Sequence, residues 1–508
     1  MARGAVLGWA GHVVGLVCTF FVTPVLILGL GEAAYGIWSL VIAVSGYYGL
    51  IDLGIGSATT KFAAQYLEKG DTREAQRYLS AAFSTYLKLA AAVVVIAAAI
   101  GLVLPYVVRV DDYGKLSLFA LTLFCGGNAA CSFVGTTARS YILAVRGFAF
   151  DGLARIIAQL VTAVGMIAIV KAGWGLVGMA MLLFALGVAR EGTTMLVAWK
   201  YFEMPSLKRI DATNDLNKKM FRFGGMVVAS QVVRRLTQRA GTLAGVWLGG
   251  AAAIAYYSVA ETACEKSLAM AKPIGRMILP TASSAQASEN ERLIRRMLVI
   301  VPRMFLVIGL FMSLNLICYG KEFLSIWISP EFSEKCYPVL SILAIAIPMR
   351  TLGACFSRVL QGFGKVSSVM RIAVVEGLVL IMIGVLLAYL YGITGLASAV
   401  VVSSAVAGVV CFPIVIADAR GAKPLSLMFS ICAPPAMVSA MAFAAFELLD
   451  TVFEPRSYLG IAFCISILGV VSAFGSLFLC ADRALREKVL RQISRIMTRS
   501  MRSSEAAS

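Results

Sequence analysis

The sequence is poor in the residues that carry chemistry. Of 508 residues only one is histidine, His12, and only 14% are charged, against roughly a quarter in soluble domains. The eleven cysteines form no C-x-x-C and lie mostly inside apolar runs, where they act as small apolar side chains rather than as metal ligands or disulfide partners. No G-x-x-x-x-G-K-[ST] is present, so a Walker-type ATPase is excluded. His12 itself falls in an apolar run and reads as a packed or cavity-facing side chain. No catalytic residues, metal site or cofactor are implied.

What is abundant is hydrocarbon: 60% of residues are hydrophobic and mean hydropathy is +0.86. Apolar runs long enough to cross about 30 Å of lipid occur at roughly 5–28, 35–58, 83–106, 117–138, 153–171, 174–199, 223–248, 251–279, 297–319, 337–360, 368–390, 393–417, 427–448 and 458–480. The fold class is all-α, a polytopic membrane protein of about fourteen spans. The first run is too long for a secretory signal and has no small-x-small cleavage site behind it, so it counts as the first span.

Orientation follows from Lys and Arg. With the N-terminus in the cytoplasm, alternate segments on the inner side hold 30 of them, and the outer loops hold six: Arg109, Lys115, Lys171, Lys321, Lys335 and Arg456. Both termini are therefore expected on the cytoplasmic side of the membrane. Basic loops against an anionic leaflet also account for the net charge of +18 without nucleic acid as a partner.

The chain repeats itself. Leu143, Gly147, Gly175, Gly178 and Ala180 map onto Leu360, Gly364, Gly392, Gly395 and Ala397 at an offset of 217, and Leu30-Gly31-Glu32-Ala33-Ala34 answers Leu248-Gly249-Gly250-Ala251-Ala252 at 218. Such repeats in a multi-span chain mark secondary transporters. The expected division is a six-helix lobe at 1–199, a cytoplasmic linker at 200–222, a second six-helix lobe at 223–418, two further spans at 427–480 and a basic cytoplasmic tail at 481–508. In that tail, Leu485, Val489, Ile493 and Ile496 share one helical side, as in a helix lying on the inner membrane surface.

Outer loops are short everywhere, which disfavours a membrane glycan polymerase or transferase with an extracytoplasmic catalytic domain. The inner segment 61–82 reads as a stub between helices.

Nine cations fall inside the spans: Lys88, Arg190, Arg234, Arg235, Arg239, Lys266, Lys272, Arg276 and Arg350. Charges in hydrocarbon cost several kcal/mol, so they face a cavity, a partner or the polar rim. With a turn at Gly249-Gly250, Arg239 is level with Glu261 and Arg235 with Glu265, which implies either two ion pairs or a cationic cavity. Arg234 and Arg350 have no obvious acidic partner in sequence and suit a phosphate. Lys272 and Arg276 lie nearer the cytoplasmic mouth. The expected substrate-binding set is Arg234, Arg235, Arg239, Lys272, Arg276 and Arg350. Candidates for binding a coupling ion are Glu261, Glu265, Asp52 at the inner end of the second span, and Glu376 in the eleventh.

The segments Pro24…Leu30-Gly31…Tyr35-Gly36-Ile37-Trp38-Ser39-Leu40 and Gly49-Leu50-Ile51-Asp52-Leu53-Gly54-Ile55-Gly56 resemble the opening of bacterial polysaccharide flippases of the Wzx type. Leu360-Gln361-Gly362-Phe363-Gly364-Lys365 and Tyr391-Gly392-Ile393-Thr394-Gly395-Leu396-Ala397 resemble their second-half signature. That family sits in a superfamily with MATE-type multidrug exporters and lipid II flippases. The resemblance implies two six-helix lobes in a V around a central cavity, and a lipid-linked oligosaccharide on an undecaprenyl pyrophosphate carrier as substrate. Membrane lipid, a glycan polymerase and export machinery would be its partners. The alternative is a MATE-like small-molecule antiporter.

Overall fold

The computed structural model describes residues 2–49, 51–52, 54–107, 114–205, 207, 250–269, 272–418, 423–452 and 457–480, and among these all regular structure is helical. The elements are α1 (Ala2–Leu30), α2 (Glu32–Tyr48), α3 (Ile55–Glu68), α4 (Thr72–Val107), α5 (Lys115–Ala144), α6 (Phe148–Lys171), α7 (Gly175–Lys200), α8 (Gly250–Ala269) and α9 (Lys272–Ala287). They continue with α10 (Glu291–Cys318, through a π turn at Arg296–Ile300), α11 (Gly320–Trp327), α12 (Pro330–Gly362) and α13 (Val366–Ala405). A π turn at Val406–Cys411 leads from α13 into α14 (Phe412–Asp418), and α15 (Pro424–Val452) and α16 (Tyr458–Leu479) follow.

Ten stretches are long and apolar enough to span a membrane. One of them, Val366–Ala417, leaves helical geometry at Gly392 (φ 61°, ψ −137°) and so carries two of the expected runs. With the shorter α2 and α8, thirteen of the fourteen runs are helical, and 223–248 lies outside the described residues. The protein is a multi-pass membrane protein. Lipid accounts for its surface: on α13, Leu378, Met382, Val385 and Tyr389 form an exposed stripe at helical spacing, while Leu380, Gly384 and Ala388 are buried.

Three expectations change. The run 35–58 is not one helix: α2 stops at Tyr48, and Asp52 lies in the turn before α3. The turn has a cause in sequence, because Gly54 takes a left-handed φ of 70° that the preceding helix cannot continue through. The segment 61–82 is mostly helical, the end of α3 and the first turns of α4 joined by a turn at 69–71, with Phe62 and Tyr66 each stacked on Tyr78 at 4.9 and 5.4 Å. The run 251–279 is carried by two elements, α8 and α9.

The repeat is structural. Glu32 and Gly250 open α2 and α8, Ile55 and Lys272 open α3 and α9, and Phe148 and Val366 open α6 and α13, at offsets of 218, 217 and 218. Gly175 and Gly392, paired by the sequence repeat, both have φ of 61°. This pair recurs because the same positive-φ corner recurs.

The helices group into two compact units, Met1–Ser258 and Val259–Ser508. In the first, α1 packs on α6, while α5 packs against α2, α3, α4 and α7. The N-terminal end of α8 belongs here: a Cβ on Gly36 would collide with the Ala251 carbonyl, and the Tyr256 hydroxyl donates to Glu32. In the second unit α12 is the hub, packed by α9, α10, α11 and α13, and its C-terminal half buries Leu352, Cys355, Phe356, Val359 and Leu360. The appended pair α15 and α16 packs on α10.

Candidate functional site

Within the second unit the site is built around a proline. Pro348, in the interior of α12, has no N–H, which leaves the Ala344 carbonyl without its helical donor. Ser313 of α10 supplies the missing hydrogen bond, its hydroxyl donating to Ala344 O at 2.8 Å. One turn earlier on α10, Gly309 lets the helices close up, because a Cβ there would lie 2.9 Å from Pro348 Cα. Thr351 donates to Pro348 O at 2.8 Å. Arg350 leaves α12 from this braced segment.

Arg350 donates through Nη2 to Oε1 of Glu265 on α8 at 2.8 Å, with side chains 18% and 31% exposed respectively. Glu261, one turn away on α8 and 8% exposed, and Glu376 on α13 lie within electrostatic reach of the same guanidinium. Among the described residues, then, Arg350 is hydrogen-bonded to one carboxylate, with two more in electrostatic range. A guanidinium held on a single carboxylate keeps donors for another oxyanion, and a carboxylate that loses its arginine gains affinity for a proton. The arrangement is therefore chemically able to exchange partners.

Arg350 was expected to stand without an acidic partner, and this is corrected: its partner is Glu265. The expected pairing of Arg235 with Glu265 and Arg239 with Glu261 falls outside the described residues on the arginine side, as does Arg234. Lys272 and Arg276 belong to α9, with side chains outside the description. Asp52 has its own setting. It belongs to the first unit and accepts from the Tyr86 hydroxyl, in a turn where Gly56 leaves room for that hydroxyl.

The first unit holds a second charged cluster that sequence reasoning missed. Glu191 on α7, 5% exposed, accepts from Arg139 Nη2 of α5 at 2.8 and 3.0 Å and from Arg190 Nε at 2.8 Å. The available signal was a lone carboxylate inside an apolar helix, which membrane burial makes costly.

A comparison with curated protein sequences finds no match. Among solved structures, the chain is similar to the lipid II flippase MurJ in an inward closed conformation, with a TM-score of 0.72 at 13% identity over 94% of this chain and 98% of that one. It is similar to an inward-facing multidrug resistance MATE family transporter of the MOP superfamily, with a TM-score of 0.67 at 15% identity over 82% of this chain and 98% of that one. A MOP superfamily transporter from Pyrococcus furiosus aligns with a TM-score of 0.56 at 16% identity over 84% of this chain and 95% of that one. At these identities the likeness shows the fold alone. The sequence profile of the polysaccharide biosynthesis protein family matches residues 29–336, more than half of the chain, and the chain belongs to that family.

Proposed function

We propose that the protein is a flippase that moves an undecaprenyl-pyrophosphate-linked oligosaccharide from the cytoplasmic to the periplasmic leaflet of a bacterial inner membrane by alternating access. The observation that carries this reading is the Arg350–Glu265 pair, a guanidinium enclosed among apolar helices on a carboxylate partner that a pyrophosphate can replace. Membership of a polysaccharide biosynthesis family and a fold shared with a lipid II flippase support it. Six-helix lobes at 1–199 and 223–418 would alternate about the linker 200–222, with Arg234, Arg235, Arg239, Lys272 and Arg276 completing the anion path. A glycan polymerase would consume the product, and no catalysis by this chain is required.

Glu261, Glu265 and Glu376 then become the groups that take up a coupling ion as the pyrophosphate captures Arg350. Deleting the gene should make a lipid-linked oligosaccharide accumulate on the cytoplasmic side. The wild-type gene should clear it and an Arg350→Gln allele should not. Full complementation by that allele removes Arg350 from the transport path.

A second reading has one observation in its favour. The three carboxylates around Arg350 suit a small cation, as in a MATE-like antiporter. Efflux of organic cations by the reconstituted protein, without movement of a polyprenyl pyrophosphate, would establish it.

A further inference from the structure

We infer that the first unit carries an anion site of its own, in which Arg139 and Arg190, set on Glu191, take a phosphate or pyrophosphate ester. The inference deepens the transport reading and rests on it for the lipid form of the anion.

Two forks meet on one carboxylate. Arg139 gives Nη2 to both Glu191 oxygens, and Arg190 gives Nε at 2.8 Å and Nη2 at 2.7 Å to Oε1, with Nη2 also donating to Ser132 Oγ at 3.0 Å. Among the described residues, Nη1 of neither guanidinium is engaged. The arginine side chains are 34% and 39% exposed while Glu191 is 5% exposed, so the carboxylate is the buried base of the cluster and the cations are its open rim. Two cations on one anion leave a positive charge there.

Neighbouring carboxylates have their own partners. Asp151 takes Arg155 Nη2 at 2.6 Å and stands 3.8 Å from Arg139 Nε, and Asp52 holds the Tyr86 hydroxyl. The base is fitted closely. A Cβ on Gly135 of α5 would lie 2.5 Å from Glu191 Cδ, so only glycine lets α5 accept this carboxylate against its backbone. Glu191 lies nine residues before the end of α7 and Arg139 five before the end of α5, roughly 14 and 8 Å of helix at 1.5 Å per residue. On the orientation set by Lys and Arg, both helices end towards the cytoplasm, so the cluster belongs to the cytoplasmic half of each, the side from which a lipid-linked substrate would load.

A purely structural ion network and an anion site predict opposite signs for one substitution. If the cluster only fastens α5 to α7, Glu191→Gln weakens the protein and gains nothing. If the arginines serve an anion, removing their competing carboxylate tightens its binding. Arg190→Gln is the complementary variant and leaves Glu191 held by Arg139, so the fold keeps its contact.

The test is calorimetric titration of the full chain in phosphatidylcholine nanodiscs with inorganic pyrophosphate and, separately, farnesyl pyrophosphate. Loss of one binding equivalent or a tenfold weakening in Arg190→Gln, with tighter binding in Glu191→Gln, supports the site. A change for farnesyl pyrophosphate alone identifies a lipid anion, and a change for both identifies the phosphate chemistry itself, whatever becomes of the flippase reading. Unchanged binding in Arg190→Gln, weaker binding in a folded Glu191→Gln, or no binding by the unmodified chain overturns it.

Discussion

Arg350 and Glu265 lie 85 residues apart in sequence and meet at 2.8 Å between α12 and α8. The partnership ties the proline-containing hub helix α12 to the helix that also carries Glu261.

Breaking this pair from one side should cost more than removing it whole. Arg350→Gln or Glu265→Gln alone is expected to lower stability in detergent by about 2–3 kcal/mol, less than for a fully enclosed pair because Glu265 is 31% exposed. The double variant should regain part of that loss. Strictly additive unfolding free energies would show that the pair contributes nothing specific.

The Pro348 brace gives a separate prediction. Ser313→Ala removes the only hydrogen bond described for the Ala344 carbonyl, at a cost of about 1–3 kcal/mol. Replacing Pro348 with Ala restores the helical donor, so Ser313→Ala should be nearly silent in a Pro348→Ala background. Equal costs in both backgrounds would refute the compensation.

Gly392 sits at φ 61° and ψ −137°, a conformation essentially restricted to glycine. Gly392→Ala should therefore destabilise by about 1–3 kcal/mol, and Gly175→Ala, at the same φ in the other half, should also destabilise. Gly46→Ala, with open space at its Cβ and an ordinary φ, serves as the control in the same thermal unfolding series.

Coupling is open to measurement in vesicles. If a pyrophosphate takes Arg350 from its carboxylates, substrate binding and proton uptake are linked. Transport should rise with an imposed proton gradient and lose that response in Glu261→Gln or Glu265→Gln. A rate indifferent to the gradient in the unmodified protein leaves sodium or downstream glycan use as the driving force.

Much of the fold was legible because lipid leaves few options: an apolar run of about 20 residues must be helical. The repeat was legible because Gly175 and Gly392 answer a backbone need that no other residue meets cheaply. Residue count puts Glu265 level with Arg235, which lies outside the described residues. Lateral neighbours cannot be read this way, because nothing in a helical period says which distant helix lies alongside, and so Arg350 was taken as unpaired. Asp52 misled for a related reason: an apolar run continues through the Gly54 turn, and hydropathy does not register a change of direction. Glu191 is illegible for the same reason as the Arg350 pairing, since its partner Arg139 comes from a different helix, 52 residues away.

In the proposed mechanism Arg350 handles the pyrophosphate of a lipid-linked glycan. Proteoliposomes loaded with an undecaprenyl-pyrophosphate oligosaccharide, assayed by the accessibility of its sugar to an external glycosidase or lectin, test it most directly. Unmodified protein should speed exposure of the inner-leaflet pool, and a folded Arg350→Gln should fall to the rate of empty vesicles. Exposure at the unmodified rate by Arg350→Gln, or no exposure by the unmodified protein while it exports an organic cation, would contradict the account.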